Sequence, residues 1–322
     1  MNKRILVTGG AGYIGSHVQK QLLKDGFDVL VYDNLSTGDR INVLPGAQFI
    51  EGDILDKDKL NSVMEQNIDG VIHLAAKKAV GESMLHPEIY AENNISGSIN
   101  VLNSMVRNNV KHIIFSSSAA VYGMPCYNPI DEKHPINPIN YYGYTKLVIE
   151  QNLDWYSKLG KISFAILRYF NAVGYAADKS IKGREKDPQN LLPIIMEVAT
   201  GKREKLSIFG NDYDTPDGTC IRDYVHVSDL ARAHSMALNK LLSGYSSFTV
   251  NLGTGKGTSV AQMIKATEKV IGKKLNYDFA PRRLGDSARL TANFDMAHDI
   301  LGWKPEYTDI EEIIRTVWNL EI

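Results

Sequence analysis

The stretch Ile5-Leu6-Val7-Thr8-Gly9-Gly10-Ala11-Gly12-Tyr13-Ile14-Gly15 runs from an apolar triplet through a glycine-rich loop into a segment of helical length. An unbroken apolar run bounded by glycine reads as a short strand covered on both faces. Glycines at 9, 12 and 15 serve three purposes: a tight turn, close approach of backbone to a diphosphate, and close packing of helix on strand. The helix N-terminus that follows has free N–H groups and a positive dipole end, which favour an anion.

Working outward, the same unit recurs. The apolar runs Val29-Leu30-Val31-Tyr32, Phe49-Ile50, Val71-Ile72-His73-Leu74, Ile113-Ile114-Phe115 and Phe164-Ala165-Ile166-Leu167 are each followed by turn residues and an amphipathic stretch. Strands alternating with helices make a parallel sheet, so the fold expected is α/β, a doubly wound parallel Rossmann-type sheet. Past residue 172 the rhythm breaks into Gly-, Asp-, Asn- and Pro-rich loops with shorter elements between them. That change predicts a smaller α+β substrate lobe over 173–322, beside a nucleotide-binding domain over 1–172.

Composition limits the alternatives. Thirty-six Lys and Arg stand against 37 Asp and Glu for a net charge of −1, without the basic block that nucleic acid would require. Two cysteines, Cys126 and Cys220, exclude a disulfide framework and fit a reducing, cytoplasmic setting. No apolar run reaches the ~20 residues of a membrane span, and the glycine loop follows Met1 too closely for a signal peptide.

Asp33 closes the second run, roughly 20 residues beyond the loop, where a carboxylate accepts hydrogen bonds from an adenosine ribose. Its charge would repel a 2′-phosphate, and the nearest Arg is Arg40, so NAD is favoured over NADP. Asp53, next to Ile54, has two readings: a frame for the adenine, or a loop-capping Asp. The second glycine-rich stretch, Gly253 to Gly257, lacks the Ser or Thr that a phosphate loop needs after Lys256, and reads as a plain turn.

Tyr142 and Lys146 lie four apart on a helix expected to run towards Lys158, and so share one face. A phenol titrates near ~10; a nearby ammonium and a positive nicotinamide would favour its phenolate. The fifth run ends in Ser116-Ser117-Ser118, placing hydroxyls at the carboxyl edge of the sheet, where doubly wound folds bind ligands. Ser118, Tyr142 and Lys146 beside a nicotinamide are the parts needed for hydride transfer at an alcohol carbon. His73, on a strand, reads as an interior hydrogen-bonded residue. Neither the eight His nor the two Cys show metal-ligand spacing, so no metal is expected.

These residues carry a resemblance. Thr8 to Gly15, Ser118-Ala119-Ala120-Val121-Tyr122-Gly123 and Tyr142-x-x-x-Lys146 resemble the extended short-chain dehydrogenase/reductase superfamily. Lys78 to Ser83, Leu167 to Asn171, Phe209 to Asp214, Arg222 to Val227 and Arg282 to Asp286 narrow it to the UDP-galactose (UDP-glucose) 4-epimerase family, over essentially the whole chain. Two departures stand out: Tyr141 replaces a usual Pro, and Leu74-Ala75-Ala76-Lys77 replaces Phe-Ala-Gly-Leu.

The resemblance implies that Tyr142, with Ser118 and Lys146, takes the proton of the sugar 4-hydroxyl while carbon 4 yields hydride to bound NAD⁺. The 4-keto sugar then turns over and hydride returns to its other face, with no net redox. It implies cofactor contacts from Gly9, Gly12, Tyr13, Ile14, Gly15, Asp33, Asn34, Asp53, Ile54, Lys78, Asn93, Tyr142, Lys146 and Tyr169. For Asn93 a plain polar helix position is the competing reading. On the UDP-sugar side it implies Asn171, Asn190, Leu191 and Phe209 near the uridine and substrate. Arg222 and Arg283 would meet the diphosphate and Asp286 the ribose. Leu290 would lie near the sugar 2-substituent, or simply in the core, and turnover of UDP-N-acetylhexosamines is the looser expectation tied to it. The family also implies a homodimer and a return of about 226–251 to the cofactor domain. A 4,6-dehydratase would need an Asp-Glu pair where Ala119 and Ala120 stand, and a redox-sensing binding protein would not require Ser118, Tyr142 and Lys146 together.

Overall fold

The computed structural model describes residues 2–184, 188–283 and 285–321. The first half builds β1 (Arg4–Thr8), α1 (Tyr13–Lys24), β2 (Asp28–Asp33), β3 (Ala47–Glu51), α2 (Lys57–Met64) and β4 (Gly70–His73). It continues with α3 (Val80–Leu85), α4 (Pro87–Tyr90), a π-helical turn (Ala91–Ser96), α5 (Gly97–Arg107), β5 (His112–Ser118), α6 (Tyr141–Lys158) and β6 (Ser163–Tyr169). All six expected strands lie in one parallel sheet.

Their side chains alternate between two cores, as strand geometry requires. Ile5, Val7, Val29, Val31, Ile72 and Ile114 pack on one face with Val18 and Leu22 of α1. Leu6, Leu30, Val71, Ile113 and Phe115 pack on the other with Leu60, Val101, Leu102, Ile149 and Leu153 from α2, α5 and α6. Truncating any one of these buried aliphatic side chains to Ala costs about 2–5 kcal/mol.

Beyond β6 come β7 (Asn171–Val173), α7 (Leu191–Ala199), β8 (Leu206–Phe209), β9 (Ile221–His226), α8 (Val227–Leu242) and β10 (Phe248–Leu252). The last two go back to the first sheet. β10 pairs in parallel with β6 as a seventh strand, and Leu230, Leu238 and Val250 join the core beneath α1. The final order is β10-β6-β5-β4-β1-β2-β3. The remaining elements surround a separate core that includes Val173, Leu192, Ile195, Met196, Ile208, Met263 and Ile314. Asp229 of α8 ties the C-terminal stretch to the sheet by accepting the N–H groups of Glu306 and Tyr307 at 3.0–3.1 Å.

The order reverses between β1 and β4, where the chain leaves one side of the sheet and begins the other. In open α/β sheets the crevice at that reversal, outside the strand carboxyl ends, is where ligands bind. The glycine loop follows β1 and opens into this crevice.

Candidate active site

The loop after β1 is shaped by close approaches that only glycine allows. Gly9 has φ +72°, and a Cβ there would sit 2.6 Å from the Ala75 nitrogen. A Cβ on Gly15 would come within 2.3 Å of the Gly9 carbonyl oxygen. Gly12 starts α1 with no side-chain cap, so the helix end presents its backbone to the crevice. Ile14 packs against the core under the loop, and the Tyr13 hydroxyl donates to the Gly174 carbonyl at 2.5 Å, tying the loop to the chain just beyond β7.

Asp33 is buried at the end of β2. Its carboxylate accepts the N–H of Ala11 at 2.9 Å and of Leu35 at 2.8 Å. Burial raises its pKa, and these two N–H groups act against that rise. Arg40 is turned away over the Phe49 ring, 4.5 Å from its centre. A bare glycine cradle, an uncapped helix end and a fixed carboxylate on the next strand fit a dinucleotide. Asn34 donates to the Asp53 carboxylate at 2.7 Å, and Asp53 also accepts the Leu55 N–H at 2.8 Å. Asp53 thus caps its loop, while the Ile54 side chain is in the core against Gly97. Lys78 is exposed in the loop between β4 and α3. Asn93 lies in the π-helical turn, a feature common at functional sites, and donates to Asn94 at 2.9 Å.

The reacting groups come from β5 and α6. Asn140 caps α6 by accepting the Gly143 N–H at 2.8 Å, and the Tyr142 N–H is received by the Ser83 hydroxyl at 3.1 Å. Ser118 ends β5 in register with Tyr169 of β6. Lys146, 5% exposed, donates to the Ser116 carbonyl at 2.8 Å and sits 4.9 Å from the Phe115 ring centre and 5.9 Å from that of Tyr142. Burial pushes the Tyr142 phenol up to about 12, and its interaction with Ser118 is what pulls it down. Burial brings Lys146 down to about 8, opposed by Glu150. His73 is an interior residue: its ring nitrogens meet Thr8 Oγ1 at 2.7 Å and Ser98 Oγ at 2.8 Å, and burial lowers it to about 3.

Across the crevice, Asn171 begins β7, and Asn190 precedes α7 without its side chain capping the helix. Leu191 leans on the third core. Phe209 ends β8 with the Arg283 guanidinium 3.8 Å from its ring centre. Arg222 donates to the Ser287 carbonyl at 2.8 Å and pairs with Asp286 at 3.1 Å. These cations are held by neutral or mutually compensating partners on one wall of the lobe. Leu290 borders a small cluster formed by Ala119, Val121, Tyr122, Ile130, Phe170 and Ala292, immediately beside the residues that follow Ser118.

The loop Gly253 to Gly257 already holds an anion. The buried Asp223 carboxylate accepts the N–H groups of Thr254 and Gly255 at 2.8 and 2.9 Å and that of Ala292 at 3.1 Å. It is a turn wrapped on a protein carboxylate. Sequence reasoning passed over Ser83, which anchors Tyr142, and Glu150, one helical turn past Lys146. The spacing of four along α6 was the signal for Glu150.

A family model described as the NAD dependent epimerase/dehydratase family matches residues 5–253. The chain is 48% identical over 318 residues to the UDP-glucose 4-epimerase of Streptococcus mutans serotype c, covering 98% of this chain and 95% of that one. The crystal structure of UDP-glucose 4-epimerase from Bifidobacterium longum in complex with NAD⁺ and UDP superposes with a TM-score of 0.93 at 40% identity, covering 99% and 98% of the two chains. The UDP-Glc/GlcNAc 4-epimerase from Campylobacter jejuni gives 0.87 at 38% identity, covering 99% of each.

Proposed function

The chain belongs to the NAD dependent epimerase/dehydratase family, and from that we propose that it interconverts UDP-galactose and UDP-glucose by transient oxidation at sugar carbon 4. The observation that carries the reading is the meeting of Ser118, Tyr142 and Lys146 at the sheet edge beside the glycine cradle. Ala119 and Ala120 follow Ser118, so no acid stands there to expel a neighbouring hydroxyl as a dehydratase requires.

When bound, NAD⁺ supplies a reversible hydride acceptor. Gly9, Gly12, Tyr13, Ile14 and Gly15 would receive its diphosphate and Asp33 with Asn34 its adenosine ribose. Asp53, Ile54, Lys78, Asn93 and Tyr169 would line the remainder. Tyr142 removes the proton from the sugar 4-hydroxyl and returns one to the same oxygen after the sugar has presented its other face. Ser118 orients that oxygen and lowers the phenol's proton affinity. Lys146 steadies the phenolate, and a cationic ring brought beside Tyr142 reduces further the penalty that burial imposes. Arg222 and Arg283 would leave their present partners for the UDP diphosphate, which matches the fork geometry of guanidinium. Asn171, Asn190, Leu191, Phe209 and Asp286 would hold the nucleoside end.

The proposal includes a division near residue 172 with 226–251 returning to the cofactor domain, a cytoplasmic setting, and a homodimer. No described helix is long and apolar enough to cross a membrane. Tyr144 and Trp155 on α6, with Leu159 just beyond, leave an apolar stripe exposed that supports association through this helix. Incubation with UDP-galactose, read through a UDP-glucose dehydrogenase, tests the activity: formation of UDP-glucose is expected, and none formed overturns it.

A further inference from the structure

Glu150 is a buried carboxylate that the proposed chemistry does not use, 5% exposed on α6. It is held by more partners than a helix residue needs. Arg168 grips it with two nitrogens, Nε to Oε1 at 3.0 Å and Nη2 to Oε2 at 2.6 Å, and the Ser117 hydroxyl donates to Oε1 at 2.5 Å. Arg168 also donates to the Tyr122 hydroxyl at 3.0 Å, which donates to Asn251 at 2.7 Å. Replacing such a pair with apolar groups is often neutral for stability, so its presence calls for another reason.

The geometry supplies one. Tyr142, Lys146 and Glu150 are spaced by four and form one stripe on α6. The three serines ending β5 each meet one member of it. Ser118 meets the Tyr142 phenol, the Ser116 carbonyl receives Lys146, and the Ser117 hydroxyl grips Glu150. Around Lys146, α6 contributes Tyr142 and Glu150, β4 contributes His73, and β6 contributes Arg168 and Tyr169. β5 contributes the Phe115 face and the Ser116 carbonyl. His73 is neutral, and the two tyrosines are protonated at neutral pH, so Glu150 is the one anion of the set.

We propose that Glu150 is a positioning residue for Lys146: it locks the serine end of β5 in register with α6 and supplies the anion that keeps the lysine charged. This rests on the reading that Lys146 works with Tyr142. Glu150 is also the group that raises Lys146 against the effect of burial.

The test titrates the Lys146 ¹³Cε resonance in the cofactor-free chain labelled with ¹³C-lysine, assigned by its loss in Lys146→Met. In Glu150→Gln the midpoint should fall by about one pH unit or more. Glu150→Asp, which keeps the charge, should hold the wild-type midpoint. Because Glu150→Gln strands a buried cation, Glu150→Gln/Arg168→Gln is measured in parallel; it removes the anion together with its cationic partner, so a smaller fall in the same direction is expected. A wild-type midpoint in either Gln variant overturns the proposal. So does a kcat profile for UDP-galactose that drops in height with an unmoved alkaline limb, since that marks a purely structural role. The titration needs neither cofactor nor sugar, so an inactive wild type would sink the proposed function while leaving this test intact.

Discussion

Lys146 gives its hydrogen bond to the Ser116 carbonyl at 2.8 Å and keeps its ammonium 5.9 Å from the centre of the Tyr142 ring. The cation is thus stored beside the phenol, not spent on it, in a place where burial disfavours charge. Folded Lys146 releases its proton near 8, whereas the free side chain does so near 10.5. Between those values the unfolded chain binds more protons, so this site's contribution to stability rises with pH there; the penalty is full below about 8.

Lys146→Met should therefore stabilise the fold while abolishing turnover. At pH 7 the gain should be roughly 1–3 kcal/mol, shrinking as the pH climbs towards 10. Urea midpoints at pH 7 and pH 9.5 measure it. A variant less stable than wild type at pH 7 would mean that the lysine's contacts outweigh its desolvation.

Tyr142→Phe keeps the ring and the backbone bond to Ser83 and removes only the proton acceptor. Turnover should fall roughly 10²–10⁴-fold, with melting temperature and UDP affinity close to wild type. Stopped assays of UDP-glucose formation alongside UDP calorimetry separate the two effects. Wild-type-like turnover would remove Tyr142 from the role of base.

Gly15→Ala places a methyl 2.3 Å from the Gly9 carbonyl oxygen and 2.6 Å from the Gly10 Cα, both rigid backbone. The loop must move, at a cost of about 1–3 kcal/mol, and its diphosphate cradle moves with it. Expected are a lower melting temperature and loss of the NAD-dependent rise in melting temperature expected of the wild type. A retained shift would mean that the cofactor does not depend on this loop.

Asp33→Ala removes the ribose acceptor, the charge that repels a 2′-phosphate, and the partner of the Ala11 and Leu35 N–H groups. NAD should weaken relative to NADP, and stability should fall by about 1–3 kcal/mol from the two N–H groups left unpaired. Titration with both cofactors reads the first effect; an unchanged ratio would assign cofactor choice elsewhere.

The parts of this molecule that were legible in advance are those where local chemistry and global position coincide. Ile5 to Gly15 states a strand, a turn and a helix start in successive residues, and β1 with α1 form there. β10 was harder to see: Phe248 to Leu252 is an ordinary short run, and only the long return of α8 puts it beside β6. Periodicity does not encode which distant strands become neighbours. The same holds for buried charge. Asp223, Asp229 and Glu150 look like surface residues in sequence, and each is buried because partners from far along the chain meet it. Tyr142 and Lys146 are legible as a pair on one helical face, but their depth of burial is not. Helical spacing gives no measure of burial, and burial is what pushes the Tyr142 phenol up and the Lys146 ammonium down.

Leu290 is partly buried at the border of the cluster formed by Ala119, Val121, Tyr122, Phe170 and Ala292. Both readings of it therefore meet in one place, because this cluster follows directly on Ser118. If Leu290 limits the space beside the sugar 2-substituent, its modest size admits an N-acetyl group without offering a hydrogen bond. The wild type should then turn over UDP-N-acetylglucosamine at a reduced rate beside the plain hexoses. Leu290→Tyr adds a ring that excludes the N-acetyl group and leaves a 2-hydroxyl room. One discriminating steric contact is worth roughly 1–3 kcal/mol, or about 10–200-fold between the two substrates. Parallel kcat/KM measurements on both sugars, with a thermal melt of the variant, decide the matter. Equal losses on both substrates, accompanied by a lowered melting temperature, would identify Leu290 as a packing residue of the Tyr122 cluster and not a gate.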